Sequence, residues 1–280
     1  MREIFKHHGG QFQYPNLTNK VRATFVMSQA NVQRLKNLVS TRQPTSLHVS
    51  SFTVTCAYIW VCIVKSHAVN DKEVAGENEL EAFIFMADCH AGFEPPIPKT
   101  SFGNCFTACF LTTKNRQLVA EEGFLTTIEL IGEAINKRAR NQEEVLKLLE
   151  AAALNLEELK SEPLVGVAGL PKLGIYGTDF GWGRPIKTEI ISINGVGVIS
   201  LSECRDSEGD LEIGSSFSKI QMDAFATIFA DGLESIGICF YGATVYGSEF
   251  RVPTGQGLYP SHIRNFDSLC NIPAGGAFIS

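Results

Sequence analysis

Ten residues concentrate the chain's chemical possibilities: Tyr176-Gly177-Thr178-Asp179-Phe180-Gly181-Trp182-Gly183-Arg184-Pro185. Three glycines beside three aromatics, an acid and a base point to a backbone forced into turns that glycine accepts most readily, with Asp179 able to pair with a guanidinium. Two readings follow, a rigid turn or a shaped wall beside a ligand channel. The sequence holds no G-x-x-x-x-G-K-[ST] phosphate cradle, no G-x-G-x-x-G opening a helix and no G-x-S-x-G elbow, which removes the usual nucleotide and serine-hydrolase chemistries. The eight cysteines (56, 62, 89, 105, 109, 204, 239 and 270) form no C-x-x-C pair and have no histidine at zinc-like spacing. They are expected to be reduced thiols, several of them buried, in a cytoplasmic protein without a bound metal. His7, His8, His48, His90 and His262 read as packing or surface residues with no acid or nucleophile arranged around them.

Around that segment the elements can be read from periodicity. Val21–Met27 is a predicted strand, followed by a helix capped by Ser28, with Val32, Leu35, Leu38 and Val39 on one face. Ser50 and Ser51 open a second helix, buried through Val54–Val64 and ending near Ser66, and an exposed loop runs from Asn70 to Glu79. Leu80–Asp88 and Phe106–Thr112 are predicted strands, separated by the stiff, proline-rich Glu94–Pro98. Two charged helices are expected over 117–139 and 142–160, their charges facing solvent. Past Pro163, four short β-rich runs (Leu164–Leu170, Lys187–Ile193, Val196–Ser202 and Leu211–Gly214) suggest one antiparallel sheet, with Asn194-Gly195 as a hairpin turn. Ser218 and Gln221 have capping-box spacing for a last helix that runs to about Ile236.

Composition narrows the partners. With 24 Lys+Arg against 30 Asp+Glu the net charge is -6, and no basic block offers a hold on nucleic acid. At 44% apolar residues, 280 residues can bury one large core or two small ones, and the longest apolar run is too short for a membrane span.

Several motifs in order resemble one family. Asp179-Phe180-Gly181-Trp182-Gly183 resembles the second signature of the BAHD acyltransferases, and Phe102-Gly103-Asn104-Cys105 resembles a motif of the anthocyanin and phenolic glucoside malonyltransferase branch, with Ser101 in place of its tyrosine. Val21–Phe25, Ser50–Val54, Ala87-Asp88-Cys89, Ser200–Glu203 and Met222–Phe225 agree as well. The resemblance implies an α/β fold of the α+β type, a chloramphenicol-acetyltransferase-like mixed sheet with flanking helices, present mainly as the C-terminal of two domains. Residues 1–20 are then a lead-in, 21–236 the family region, and 237–280 an atypical, loosely ordered tail.

The implied activity is acyl-CoA-dependent O-acyl transfer, malonyl-CoA being the expected co-substrate and a phenolic or flavonoid glucoside the acceptor, with no permanently bound cofactor. In the family the catalytic base is the histidine of an H-x-x-x-D-G motif, and Met1 aligns after it; the alternative is therefore an inactive remnant that binds only CoA or a partner. His67 and Asp71 satisfy H-x-x-x-D literally, but without the glycine, and are expected to match by chance in an exposed loop. By resemblance Asp179 is structural, salt-bridging a remote arginine with Trp182 nearby. Ser50, Ser51 and Thr53 meet CoA, and Asp88, His90, Asn104 and Cys105 line the acyl side. His90 stands where the branch often has arginine, which weakens an expected preference for malonyl. Family members are usually monomeric; a chain of this length is expected to associate.

Overall fold

The computed structural model describes residues 20–42, 49–70, 78–90, 105–138, 163–169, 173–188, 197–239 and 263–265, together with 93, 95–98, 100–102, 171, 190 and 193. In chain order the elements are β1 (Lys20–Met27), α1 (Gln29–Arg42), α2 (Ser51–Asn70), β2 (Leu80–Asp88), β3 (Phe106–Lys114), α3 (Asn115–Val119), α4 (Gly123–Arg138), β4 (Leu164–Ala168), β5 (Val198–Glu203), β6 (Leu211–Ser218), α5 (Lys219–Cys239) and β7 (Ile263–Asn265). A 3-10 turn at Ile175–Gly177 interrupts the passage from β4 to β5.

The strands form one sheet in the order β3-β2-β4-β5-β6-β1-β7. β4 runs parallel to both β2 and β5, and every other pairing is antiparallel. The sheet is therefore mixed, where the short runs after Pro163 suggested a wholly antiparallel one. A parallel pair needs a long crossover, and residues 169–197 supply it between β4 and β5. This explains the fate of the Lys187–Ile193 run: none of its described residues is in a strand. Ile193 is buried beside Gly214 of β6, so the run's apolar residues cover the sheet instead of joining it. Asn194 and Gly195 lie outside the described residues.

Helices α2, α4 and α5 pack together over one face. α2 is apolar on all sides and buried from Thr53 to Val64, as a helix does when neighbours surround it. Trp60 stacks on Phe83 of β2 at 4.9 Å between ring centroids, and Phe25 of β1 meets Phe225 of α5 edge-on at 5.0 Å. Ser28, Ser50 and Ser218 cap α1, α2 and α5, their hydroxyls accepting N–H groups from Asn31, Thr53 and Gln221.

Three boundaries differ from the sequence reading. α2 passes Ser66 and reaches Asn70, so His67 is helical. The predicted 117–139 helix is broken into α3 and α4 at residues 120–122. The break turns on Gly123, where a β-carbon would stand 2.1 Å from the carbonyl oxygen of Leu118. Finally, three residues of the tail, Ile263–Asn265, pair with Ala23–Phe25 of β1. The 142–160 helix lies outside the described residues.

Candidate functional site

Where α2 starts and β2 ends, the sheet opens into a cleft of about 1370 Å³. One wall comes from Ser50 and Ser51, with Phe52, and from Met86, Ala87 and Asp88 at the end of β2. Ser50 Oγ accepts the Thr53 N–H at 3.0 Å and lies 2.8 Å from the Thr53 hydroxyl, so the buried Thr53 supports this wall from behind. The first turn of α2 exposes backbone N–H groups that no helical carbonyl can accept, an arrangement suited to phosphate or amide oxygens.

The facing wall is built from the β4–β5 crossover and the turn between β5 and β6. Tyr176 and Arg184 come from the crossover, Glu203 from the end of β5, and Arg205 and Asp210 from the turn. Polar contacts tie these pieces together. The Tyr176 N–H donates to Glu203 Oε1 at 3.2 Å, and the Tyr176 hydroxyl accepts the Thr188 N–H at 3.2 Å. Asp210 Oδ1 accepts the Gln29 N–H at 2.7 Å, attaching the turn to the start of α1. Arg184 and Arg205 share the cleft with the carboxylates of Asp88, Glu203, Glu208 and Asp210 in a lining that is otherwise largely apolar, a setting suited to a long ligand with an apolar stem and charged groups along it. Of this wall, sequence reasoning singled out the Tyr176–Pro185 segment as a possible channel wall and noted Ser200–Glu203 as a resemblance without a role; it did not single out Arg205 or Asp210.

Asp179 through Gly183 stand next to the cleft between two segments that line it. Asp179 Oδ1 accepts N–H bonds from Gly181 at 2.7 Å and Gly183 at 3.1 Å. Both glycines have φ near +95° (95 and 94), a region closed to most side chains. Among the described residues, the carboxylate thus closes its own loop instead of reaching a remote guanidinium. The same loop presents Phe180 and Trp182 to solvent, at 82% and 93% exposure.

The remaining candidates separate. His90 does have an acid beside it: its Nδ1 lies against Asp88 Oδ1, and its N–H donates to the same oxygen at 2.8 Å. The expectation that it stands alone is corrected, the reason being a tight turn after β2 that folds the chain back on Asp88. Asp88 lines the cleft; His90 is behind it, with a side chain 18% exposed. Cys105 is half-buried at the start of β3. Asn104 and Asp71 lie outside the described residues. His67 is half-buried in the last turn of α2, not in an exposed loop, and is not among the residues lining the cleft.

The shifted thiols and phenol belong to the core, not to the cleft. Burial pushes Cys56 well up and Cys62 up to about 12, the Tyr58 hydrogen bond and Lys65 opposing the latter. Burial also raises Tyr58, whose hydroxyl donates to the Phe229 carbonyl at 2.6 Å. These groups stay protonated at neutral pH, and the Tyr58 bond holds α2 to α5.

Comparison with known proteins adds to this geometry. The model of the Transferase family matches residues 6–231. The chain is 43% identical over 233 residues to malonyl-coenzyme A:anthocyanin 3-O-glucoside-6''-O-malonyltransferase of Dahlia pinnata, covering 81% of this chain and 50% of that protein. It is 46% identical over 217 residues to phenolic glucoside malonyltransferase 1 of Nicotiana tabacum, covering 77% and 47%. Agmatine coumaroyltransferase of Arabidopsis thaliana is 36% identical over 216 residues, covering 75% and 46%. The chain thus spans about half the length of the curated relatives it matches. Among solved structures, vinorine synthase superposes with a TM-score of 0.58 at 20% identity, covering 76% of this chain and 48% of that one. TRI101 of F. sporotrichioides, complexed with coenzyme A and T-2, gives 0.56 at 15% identity, covering 74% and 48%. The mixed sheet with flanking helices is the chloramphenicol-acetyltransferase-like fold that the sequence motifs implied.

Proposed function

The chain belongs to the Transferase family, that of the BAHD acyltransferases, and from that premise we propose that it serves acyl transfer from a coenzyme A thioester to a hydroxyl. The malonyl group is the proposed acyl unit and a phenolic or flavonoid glucoside the acceptor, because four of the relatives are named for that combination. Coumaroyl relatives, at 36% and 33% identity against 43% and 46% for two of the malonyl relatives, make a bulkier donor the second choice.

The observation that carries this reading is the cleft itself. At about 1370 Å³ it exceeds the roughly 300–1,000 Å³ typical of drug-sized ligands, and a helix N-terminus with two hydroxyls lies on one wall. Ser50, Ser51 and the first N–H groups of α2 would hold phosphate or pantetheine oxygens of the coenzyme. Arg184 and Arg205 line the same cleft and would offer charge to further phosphates. Asp88 would sit toward the acyl end, held in place from behind by its contact with His90. Asp179 keeps the crossover in shape, and so acts on the channel without touching the reacting atoms.

The reaction requires a base for the acceptor hydroxyl and donors for the tetrahedral oxyanion. No histidine is among the described residues that line the cleft. In this proposal the base is the histidine of the H-x-x-x-D-G motif, which the resemblance assigns to the other half of the relatives' length, and His67 has no part in catalysis. Residues 21–236 form the donor-binding region, 1–20 its lead-in and 237–280 a divergent extension. The reaction belongs in the cytoplasm, where CoA thioesters and reduced thiols coexist.

Calorimetry with malonyl-CoA tests the proposal directly. The intact chain should bind saturably, and Ser51→Ala combined with Arg205→Ala should weaken binding about tenfold or more, as loss of one charged and one neutral hydrogen bond implies. Absence of saturation at millimolar concentrations would overturn the reading. If the chain also turns over malonyl-CoA with a phenolic glucoside and His67→Ala abolishes that turnover, the assignment of the base is wrong.

A further inference from the structure

We propose that Cys89 and Cys105 form a reversible disulfide at the rim of the cleft, a modification site for low-molecular-weight disulfides of the glutathione class. The argument begins with register. β2 and β3 pair antiparallel from Leu80↔Lys114 to Asp88↔Phe106, so the next pair on the ladder is Cys89 with Cys105. The ladder does continue: the Cys89 N–H donates to the Cys105 carbonyl at 3.0 Å. Residues directly opposite in a hydrogen-bonded antiparallel pair have α-carbons about 5.5 Å apart, with side chains on the same face of the sheet. That separation lies inside the roughly 4.4–6.8 Å that a disulfide spans, while the β-carbons of such a pair, about 4.5–5.5 Å apart, must close to about 3.5–4.5 Å, so the strand ends draw together slightly and the bond is readily reduced.

The two thiols differ in access, and the difference sets the order of steps. Cys105 is half-buried and can meet a reagent, whereas Cys89 is 4% exposed with its Sγ 3.5 Å from the Ala87 carbonyl. The Cys105 thiolate, having given its proton to water, attacks one sulfur of glutathione disulfide. The S–S bond breaks, one glutathione leaves as thiolate, and Cys105 carries the other. The Cys89 thiolate then attacks the Cys105 sulfur, displaces the second glutathione and completes the protein disulfide. Two protein thiols are oxidised and one glutathione disulfide is reduced to two thiols, and excess glutathione runs both steps backward.

The link has a consequence for the cleft because it lies one residue from Asp88, which lines it, and closes the segment 90–104 into a ring whose first residue is His90. Fixing the sulfurs pins the turn that carries the Asp88–His90 contact. The oxidised chain is therefore expected to bind the acyl donor several-fold more weakly. This consequence rests on the acyl-CoA reading of the cleft; the disulfide does not.

Purified full-length chain equilibrated with glutathione disulfide should lose two titratable thiols, lose two hydrogens in mass, and yield one peptide pair joining Cys89 to Cys105, all restored by excess glutathione. In Cys89→Ser the reaction should stop at a single glutathione on Cys105. Cys105→Ser, altered at the more exposed position, should keep the native circular dichroism and form no link. A lasting glutathione adduct on Cys105 of the unaltered chain, a link between other cysteines, or no reaction at all would overturn the site. Malonyl-CoA affinity unchanged on oxidation, with the linked peptide present, would overturn its coupling to the cleft while leaving the site intact.

Discussion

The chain has two tryptophans, and they live in opposite surroundings. Trp60 in α2 is fully buried, stacked on Phe83 with its ring tilted only 23° from parallel. Trp182 is 93% exposed, at the tip of a loop closed by polar bonds from Asp179. The contrast separates two ways of fixing a conformation. Around Trp60, shape and apolar burial do it, and every neighbour contributes. Around Trp182, two N–H bonds to one carboxylate do it, and the aromatic itself adds almost nothing to the stability of this chain.

Substitutions should break that contrast in a definite order. Trp60→Ala leaves a large void beneath β2, and denaturant unfolding should show a loss of about 3–5 kcal/mol. Next comes alkali. Cys62 is held up to about 12 in the folded chain against an ordinary 9.0, so the unfolded chain releases its proton first as pH rises. Its stabilising effect is therefore complete below pH 9 and lost between 9 and 12, and the melting temperature should fall across that window. A thiol reagent at pH 8 should label Cys105 and Cys204 well before Cys56 or Cys62. Asp179→Ala opens two exposed hydrogen bonds and should cost about 1 kcal/mol in unfolding experiments, with a larger proportional loss of malonyl-CoA affinity through the wall at Tyr176 and Arg184. Trp182→Ser should change stability by less than about 0.5 kcal/mol. Its fluorescence readout is as useful: the remaining Trp60 emission should be blue-shifted and resistant to acrylamide, and a quenchable residue would contradict the burial described.

The same division shows what could be read from the sequence. Leu80–Asp88 was bounded correctly because a run of alternating and apolar residues flanked by polar loops has few other solutions. α2 was legible from its length and from Ser50 at its start. The direction of β4 and β5 was not, because parallel pairing depends on contacts far apart along the chain and leaves no local mark; the four short runs looked like hairpins. The Lys187–Ile193 run has strand composition, yet its apolar residues serve a crossover. At the cleft, Ser50, Ser51 and Asp88, singled out through motifs that keep their order, lie on one wall. Arg184 lies on the crossover, Glu203 at the end of β5 and Arg205 and Asp210 in the turn after it, and only folding brings them to one cleft. The link between Asp88 and His90 is two residues long and was overlooked, since strands rarely turn so sharply at their ends.

The pairing of β1 reaches across the chain: Lys20 meets Ser218 and Met27 meets Leu211. During synthesis β1 emerges from the ribosome long before β6, the neighbour it needs, has been made. For that interval β1 offers an open edge to any passing chain. Yield in a cell should therefore depend on chaperone supply and translation speed more than the finished molecule's stability would suggest.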